Sequence, residues 1–98
     1  MVARRSARIK RAQRSIGTSL SAWRRLQSLT IQQVADRAGA SPRTISRLEN
    51  GEAVGSDVLL ATCRALGILD QIEKSFDPYR TEYGRLRATQ DLPKRIRP

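Results

Sequence analysis

The segment 30–51 restricts the fold of this chain more than any other part of the sequence. Thr30 and Gln33 have the spacing of a capping box, in which each side chain satisfies a free backbone N–H of the other residue. The eight residues after Thr30 suit a short helix, and Gly39 after them can adopt the left-handed conformation that ends one. The spacing therefore predicts a helix over 31–38 that is followed by a tight turn.

A second short helix is predicted directly after that turn. Ser41 is a preferred N-cap residue, and Pro42 suits the first helical position because the N–H that it lacks would be unpaired there. This helix reaches Asn50 and stops at Gly51. The residues expected to pack the two helices together are Val34, Ala35, Ala38, Ile45 and Leu48. Two short helices that cross closely at a turn form a helix-turn-helix unit.

One helix is predicted ahead of this unit. Ile16, Leu20 and Trp23 form an apolar stripe at helical spacing, so Trp23 is expected in the core. Gly17 weakens the beginning of the stripe, although Ile9 and Ala12 can extend the helix upstream.

Two helices are predicted after the unit. Ser56 is expected to cap the fourth helix, Gly67 to end it, and a fifth helix is expected over 69–76. The inner face of the fourth helix should contain Leu59, Leu60, Cys63 and Leu66. The prediction is an all-α domain of five helices over 16–77, between a basic extension over 1–15 and a tail over 78–98. In the tail, Thr81–Tyr83 and Arg85–Arg87 can form a strand against a partner chain.

The charge is strongly positive and unevenly distributed. Nineteen Lys and Arg against nine Asp and Glu give a formal net charge of +10. Residues 1–25 contain eight basic and no acidic side chains, and residues 79–98 contain six basic and two acidic ones. An excess of this kind at both ends indicates a polyanionic partner, with nucleic acid favoured over an acidic protein or an anionic membrane surface.

Several functional classes find no support in the composition. The chain has no histidine, and its single cysteine cannot form an intramolecular disulfide. No metal site, cofactor, catalytic group, apolar run long enough for a membrane span or secretory signal is predicted, so we expect a non-enzymatic cytoplasmic protein that is associated with the nucleoid through DNA.

The outer face of the second short helix has the chemistry of DNA recognition. Since Ile45 and Leu48 turn inward, the face left near solvent consists of Pro42, Arg43, Thr44, Ser46 and Arg47. Arginine can bond guanine through two N–H groups, and threonine can bond a base edge or touch the thymine methyl. The first turn of a helix in the major groove comes closest to the bases. Arg43 and Thr44 are therefore the first candidates for base contacts, and Arg47 follows one turn later.

Taken together, these motifs resemble the XRE, or lambda-repressor-like, family of helix-turn-helix regulators over about residues 16–69. The similarity rests on the Ile16, Leu20, Trp23–Arg24 pattern, on Val34–Ala35 with the turn at Gly39, and on the ending Ile45–Gly51. The resemblance implies a lambda-repressor-like fold in which Arg24 and Glu49 form an internal ion pair. It also implies base contacts by the residues named above. The expected phosphate contacts are Thr30, Gln32, Gln33, Ser41, Ser46 and Asn50.

One position departs from that family. Its members commonly have glutamine at the first position of the second helix, where it braces the recognition helix. Ile31 is found there in this chain and Gln32 follows, so the bracing contact is either absent or displaced by one residue.

The carboxyl-terminal half is similar to HipB-type antitoxins over the run 59–69, the boundary at 76–78 and the basic end 92–98. That similarity implies a homodimer that represses its own operon and holds a HipA-type kinase toxin. A stand-alone or phage-type repressor, an interaction module that mainly neutralises a partner, and a non-specific coat on nucleic acid are the alternatives.

The basic amino-terminal segment allows three interpretations. It can be an arm along phosphates or in a minor groove, a solvated helix extension, or a disordered terminus. The residues proposed for an arm are Arg4, Arg5, Arg8, Lys10 and Arg11. For the basic end of the chain, DNA, a protein partner and disorder stay equally open.

Overall fold

The computed structural model of the protein describes residues 6–90, 92–94 and 96. Every regular element in that part of the chain is helical. The elements are α1 (Ala7–Leu26), α2 (Ile31–Ala38), α3 (Pro42–Glu49), α4 (Ser56–Ala65), α5 (Leu69–Phe76), a 3-10 turn (Pro78–Arg80) and α6 (Glu82–Leu86). The predicted all-α fold and its five-helix domain are confirmed. Arg4, Arg5, Arg95 and Arg97 lie outside the described residues.

Both helices of the central unit begin at the caps that the sequence predicts. Thr30 Oγ1 accepts a hydrogen bond from the Gln33 backbone N–H at 3.0 Å, and Gln33 Oε1 accepts one from the Thr30 N–H at 2.8 Å. At α3, Ser41 Oγ accepts from the Thr44 N–H at 3.1 Å. Gly39 between the helices has a φ of 69° and is left-handed, as expected. Each cap of this kind stabilises its helix by about 0.5–2 kcal/mol.

The core lies between α2, α3 and α4, with α1 and the start of α5 closing its sides. Of the five residues predicted to pack the central unit, four are buried and Ala38 is partly buried against the same cluster. Cys63 is buried as well, and its burial raises the pKa of the thiol. The buried apolar residues are Leu20, Val34, Ala35, Ile45, Leu48, Cys63, Leu66 and Ile68.

The apolar stripe of α1 faces the core only in part. Leu20 is buried as predicted, but Ile16 is 47% exposed and Trp23 is 37% exposed. The prediction that Trp23 belongs to the core is therefore wrong. The helix also extends upstream to Ala7 and crosses the expected boundary at residue 15 without a break.

Gly17 explains why the packing face of α1 is rotated away from Ile16. A Cβ at Gly17 would lie 2.5 Å from the Glu49 carbonyl oxygen and 2.6 Å from that of Leu48. No side chain fits at that distance from two backbone oxygens, so the glycine lets α1 lie directly on the last turn of α3. Gly17 thus has a packing role that its low helix propensity hides.

Two expectations about α4 need correction. Gly55, and not Ser56, is the N-cap residue, and no side chain caps this helix. Leu60 is 42% exposed, whereas Leu59 is partly buried against the core. The buried side of α4 contains Thr62 and Cys63, so Leu60 falls at its edge beside α5.

The strand expected in the tail is also wrong. Thr81 caps α6 instead: its hydroxyl accepts from the Gly84 N–H at 3.0 Å and donates to the Pro78 carbonyl. Arg87 then lies 4.5 Å from the centre of the Tyr83 ring. Within the described chain no strand lies beside this segment, so local capping decides its conformation against its β-propensity.

Gly17→Ala is expected to destabilise the domain, although alanine favours a helix over glycine by about 1 kcal/mol. The added methyl overlaps two carbonyl oxygens, so α1 must move away from α3, and such overpacking costs about 1–3 kcal/mol. Thermal unfolding followed by circular dichroism should give a melting temperature lower by about 4–8 °C for each kcal/mol. The control is Thr18→Ala at an exposed neighbouring position. Equal melting temperatures for the two variants would contradict this role.

Candidate nucleic-acid interface

An ion pair fixes the carboxyl end of α3 to α1. Arg24 Nε lies 2.8 Å from Glu49 Oε2, and Arg24 Nη2 donates to Glu49 Oε1 at 3.1 Å. A third bond runs from Arg24 Nη1 to the Leu29 carbonyl at 3.0 Å. The two side chains are only 14% and 9% exposed, and the bonds to Glu49 raise the pKa of the Arg24 guanidinium. Two-point contact of this kind sets the orientation of α3 as well as its position.

Arg43 and Arg47 lie on the outer face of α3, four residues and about one turn apart. Both side chains are exposed, while Ile45 and Leu48 between and after them are buried. Within the described part of the chain, Arg43 forms no ion pair and no side-chain hydrogen bond. Its guanidinium is therefore available to a ligand.

Arg47 is held by the loop that follows α3. Its Nε lies 3.5 Å from Glu52 Oε1, and its Nη2 donates to the Ala53 carbonyl at 3.2 Å. Arg47 therefore points its donors at the loop, and a base contact would require these two interactions to break.

Thr44 is partly buried and belongs to the helix cap. Its hydroxyl lies 2.8 Å from the Ser41 hydroxyl, which also accepts from the Thr44 backbone N–H. A hydroxyl group has one donor and two acceptor sites. Ser41 and Thr44 therefore keep part of their hydrogen-bonding capacity at the start of α3.

The cap of α2 leaves donors available in the same way. Gln33 uses its carbonyl oxygen in the capping box, so the amide N–H groups of its exposed side chain remain free to donate. Gln32 donates to Asp36 Oδ1 at 2.8 Å, within its own helix. Ile31, at the position where the related family commonly has glutamine, packs against the core.

The remaining predicted contact residues are distributed over α1 and α3. Ser46 is partly buried and Asn50 is exposed at the end of α3. Arg8, Lys10 and Arg11 are exposed on the first turns of α1, which makes the described part of the basic arm helical.

Two interactions were not predicted from the sequence. Gln27 Nε2 donates to the Leu66 carbonyl at 2.7 Å and ties the end of α1 to α4, and Glu52 pairs with Arg47. Nothing in the sequence indicates either interaction. Gln27 and Leu66 lie far apart in the sequence and come together only in the folded chain. The Arg47–Glu52 spacing of five residues is typical of neither a helix nor a strand pair.

Two other kinds of site are not found in the described residues. No group of three His, Cys, Asp or Glu side chains in them could hold a metal ion. None of the helices described for the chain is both long and apolar enough to cross a membrane.

Comparison with known proteins identifies one family. A sequence profile described as Helix-turn-helix matches residues 20–69, just over half of the chain. The matched part runs from Leu20 in α1 to the first residue of α5, so it includes the whole central unit and its core. No curated protein and no solved structure matches the chain.

Glu49→Ala is expected to lower the stability of the whole domain, because it leaves the Arg24 guanidinium nearly buried without its carboxylate. Breaking a buried pair at one partner costs about 3–5 kcal/mol. The melting temperature measured by circular dichroism should fall strongly. The control is Asp70→Ala, which removes the exposed pair of Asp70 with Lys74 and should leave the melting temperature unchanged. Equal behaviour of the two variants would show that the Arg24 pair does not hold α3.

Proposed function

We propose, since the chain belongs to the XRE-type helix-turn-helix family of DNA-binding regulators, that it represses transcription of its own gene. In this proposal it is a homodimer on a two-fold symmetric operator, and it acts by blocking the polymerase from the promoter. The observation that supports this best is the exposed, unpaired Arg43 on the first turn of α3, a helix that is capped at Ser41 and locked at Glu49.

Base recognition is assigned to the first turn of α3. Arg43 can donate two bonds to the O6 and N7 of guanine, since within the described chain nothing else occupies its guanidinium. Thr44 contacts a neighbouring base through its methyl group or its remaining hydroxyl capacity. Arg47 contacts DNA only after it leaves the loop, so its part in base recognition is secondary.

Phosphate contacts are assigned to the polar residues around the central unit. The amide of Gln33 and the hydroxyl of Thr30 have donors to spare after capping, and the Ser41–Thr44 hydroxyl pair keeps one free O–H between them. The proposed set is Thr30, Gln32, Gln33, Ser41, Ser46 and Asn50. These contacts position the protein on the duplex, and base contacts then provide the specificity. On α1, Arg8, Lys10 and Arg11 contact further phosphates of the DNA backbone.

An exposed apolar face supports the proposal that a second copy of the chain binds. Leu60 and Phe76, which are 42% and 82% exposed, border a cavity of about 510 Å³ between α4 and α5. Burial of apolar side chains of this size drives association. A dimer formed through this face would have two α3 helices, one for each half-site of a two-fold symmetric operator.

A protein partner is the second candidate role, and the segment after α5 favours it. Tyr83, Leu86, Leu92 and Ile96 are all at least two-thirds exposed, although they are large apolar residues. An antitoxin that holds a HipA-type kinase would need such a surface outside its DNA-binding domain. Co-purification of the chain with the product of an adjacent kinase-like gene would support this role, and its failure would leave the stand-alone repressor.

The test of the repressor proposal is a footprint of the purified protein on the DNA upstream of its own gene, at about 150 mM salt. Two protected patches on one face of the duplex, about one helical turn apart, are expected for a dimer. Uniform protection would instead identify a non-specific coat on nucleic acid. Absence of protection would show that the protein alone is not a repressor of this gene.

Arg43→Ala is expected to weaken operator binding by about 1–3 kcal/mol and to relax the preference at one base pair of each half-site. Binding should be measured against a set of duplexes that carry every single-base change in the footprinted site. Arg64→Ala, which removes an exposed arginine of α4 outside the predicted contact residues, is the control for the change in charge. Uniform weakening on all duplexes would refute base recognition by Arg43 and would leave it a phosphate contact.

A further inference from the structure

A basic groove lies beside the outer face of α3, between the amino-terminal half of α1 and the loop after α3. Its volume is about 370 Å³, and the side chains that line it include Lys10, Gln13, Arg14, Arg47, Asn50 and Glu52. Three of these side chains are cations, and Glu52 is the single acid among the lining residues. The groove is thus predominantly basic, and one carboxylate of the protein lies in it.

Backbone contacts fix the walls of this groove. A Cβ at Gly51 would lie 2.8 Å from the Arg14 Cα, so α1 touches the loop at a residue that has no side chain. Gly51 also has a φ of 81°, and the N–H groups of Gly51 and Glu52 donate to the Leu48 and Arg47 carbonyls at 3.1 and 3.0 Å. The loop therefore leaves α3 in one direction, and the cations are in place before any ligand binds.

The two cations that α1 contributes to the groove, Lys10 and Arg14, have no counter-charge among the described residues. Lys10 and Arg14 are four residues apart on one face of α1, a spacing at which like charges repel each other. Neither of them forms an ion pair with any other described residue. An anion bound between them and Arg47 would relieve this repulsion.

Glu52 holds its place in the groove only weakly. The Arg47 Nε to Glu52 Oε1 distance is 3.5 Å, and the two side chains are 46% and 55% exposed. An exposed pair with a single long contact adds little to stability, so a competing anion can replace the carboxylate.

We propose that this groove binds a phosphate of the DNA backbone beside the operator, and that Glu52 occupies the Arg47 end of it in the free protein. The inference rests on the proposed function, because that function brings DNA to the outer face of α3. A phosphate diester has the same single negative charge as a carboxylate and likewise accepts through oxygen atoms. It replaces Glu52 on Arg47 while Lys10 and Arg14 contact it from α1.

This arrangement gives Arg47 and Glu52 opposite effects on DNA affinity. Arg47 becomes a phosphate contact, whereas Glu52 lowers the affinity for every sequence because its bond to Arg47 must first break. The competition reduces occupancy of random DNA and leaves discrimination between bases to the first turn of α3.

The test uses the full chain and two duplexes of about 30 base pairs, one with the footprinted site and one of random sequence, titrated between 50 and 200 mM salt. Glu52→Gln should bind both duplexes about 2- to 5-fold more tightly, the range that an exposed ion pair accounts for. The variant with both Lys10→Gln and Arg14→Gln should bind both more weakly, and its salt dependence should be shallower by about one unit for each phosphate that the protein no longer neutralises. Asp70→Asn, an equal change of charge at an exposed position of α5, is the control and should leave both affinities unchanged.

A double-mutant cycle separates competition for Arg47 from a general effect of charge. In the Arg47→Ala background, Glu52→Gln should bring no gain, since there is no guanidinium left to release. An equal gain in both backgrounds, or no gain in the wild-type background, would overturn the proposal. Unchanged melting temperatures of the Glu52 and Arg47 variants would show that these affinities report on binding and not on folding.

Failure of this inference is distinguishable from failure of the proposed function. If Glu52→Gln has no effect while Arg43→Ala relaxes the base preference, the groove proposal falls and the repressor stands. If the protein has no sequence preference, the repressor proposal falls, but the Glu52 effect on the random duplex still supports the groove.

Discussion

The contact between α1 and the last turn of α3 is the constraint on which the rest of the structure depends. The helix proposed to recognise DNA has eight residues, too few to hold its orientation by its own hydrogen bonds. Two features of α1 fix the orientation of α3. Gly17 lets the backbones of the two helices touch, and Arg24 donates two hydrogen bonds to Glu49. Because the pair is almost out of water, it is worth more as a device for orientation than as a source of stability.

The polar side chains of the central unit serve two purposes because hydrogen-bonding groups are rarely used up by one partner. Capping engages an acceptor on Gln33 and on Ser41, while the Gln33 amide and one hydroxyl of the Ser41–Thr44 pair keep donors that phosphate oxygens can accept. A residue that caps a helix of this unit is therefore also in a position to contact DNA in the proposed complex. At these positions the fold and the proposed phosphate contacts depend on the same side chains.

Features of the fold that depend on neighbouring residues can be predicted from the sequence, whereas features that depend on contacts between distant residues cannot. The caps at Thr30 and Ser41, the turn at Gly39 and the bounds of α5 all follow from neighbouring residues. The packing role of Gly17 does not, since it depends on carbonyl groups that lie more than thirty residues away in the chain. The same holds for Arg47: its type and position on the helix predict a base contact, but the loop that binds it is oriented by contacts with α1. Tyr83 illustrates the reverse case, because a β-prone segment became a helix where no neighbouring strand could pair with it.

The uninterrupted course of α1 has a mechanical consequence. One helix of 20 residues runs from the basic turns near Arg8 to the joint at Arg24, a length of about 30 Å. Because α1 has no hinge, the distance between its two ends is fixed. The separation between protein–DNA contacts at those ends therefore cannot adjust to the DNA in the proposed complex. In the proposed complex, any mismatch between that length and the duplex is then absorbed by bending of the DNA. Base steps that lie outside every direct contact would thereby enter the selection of a site through their stiffness.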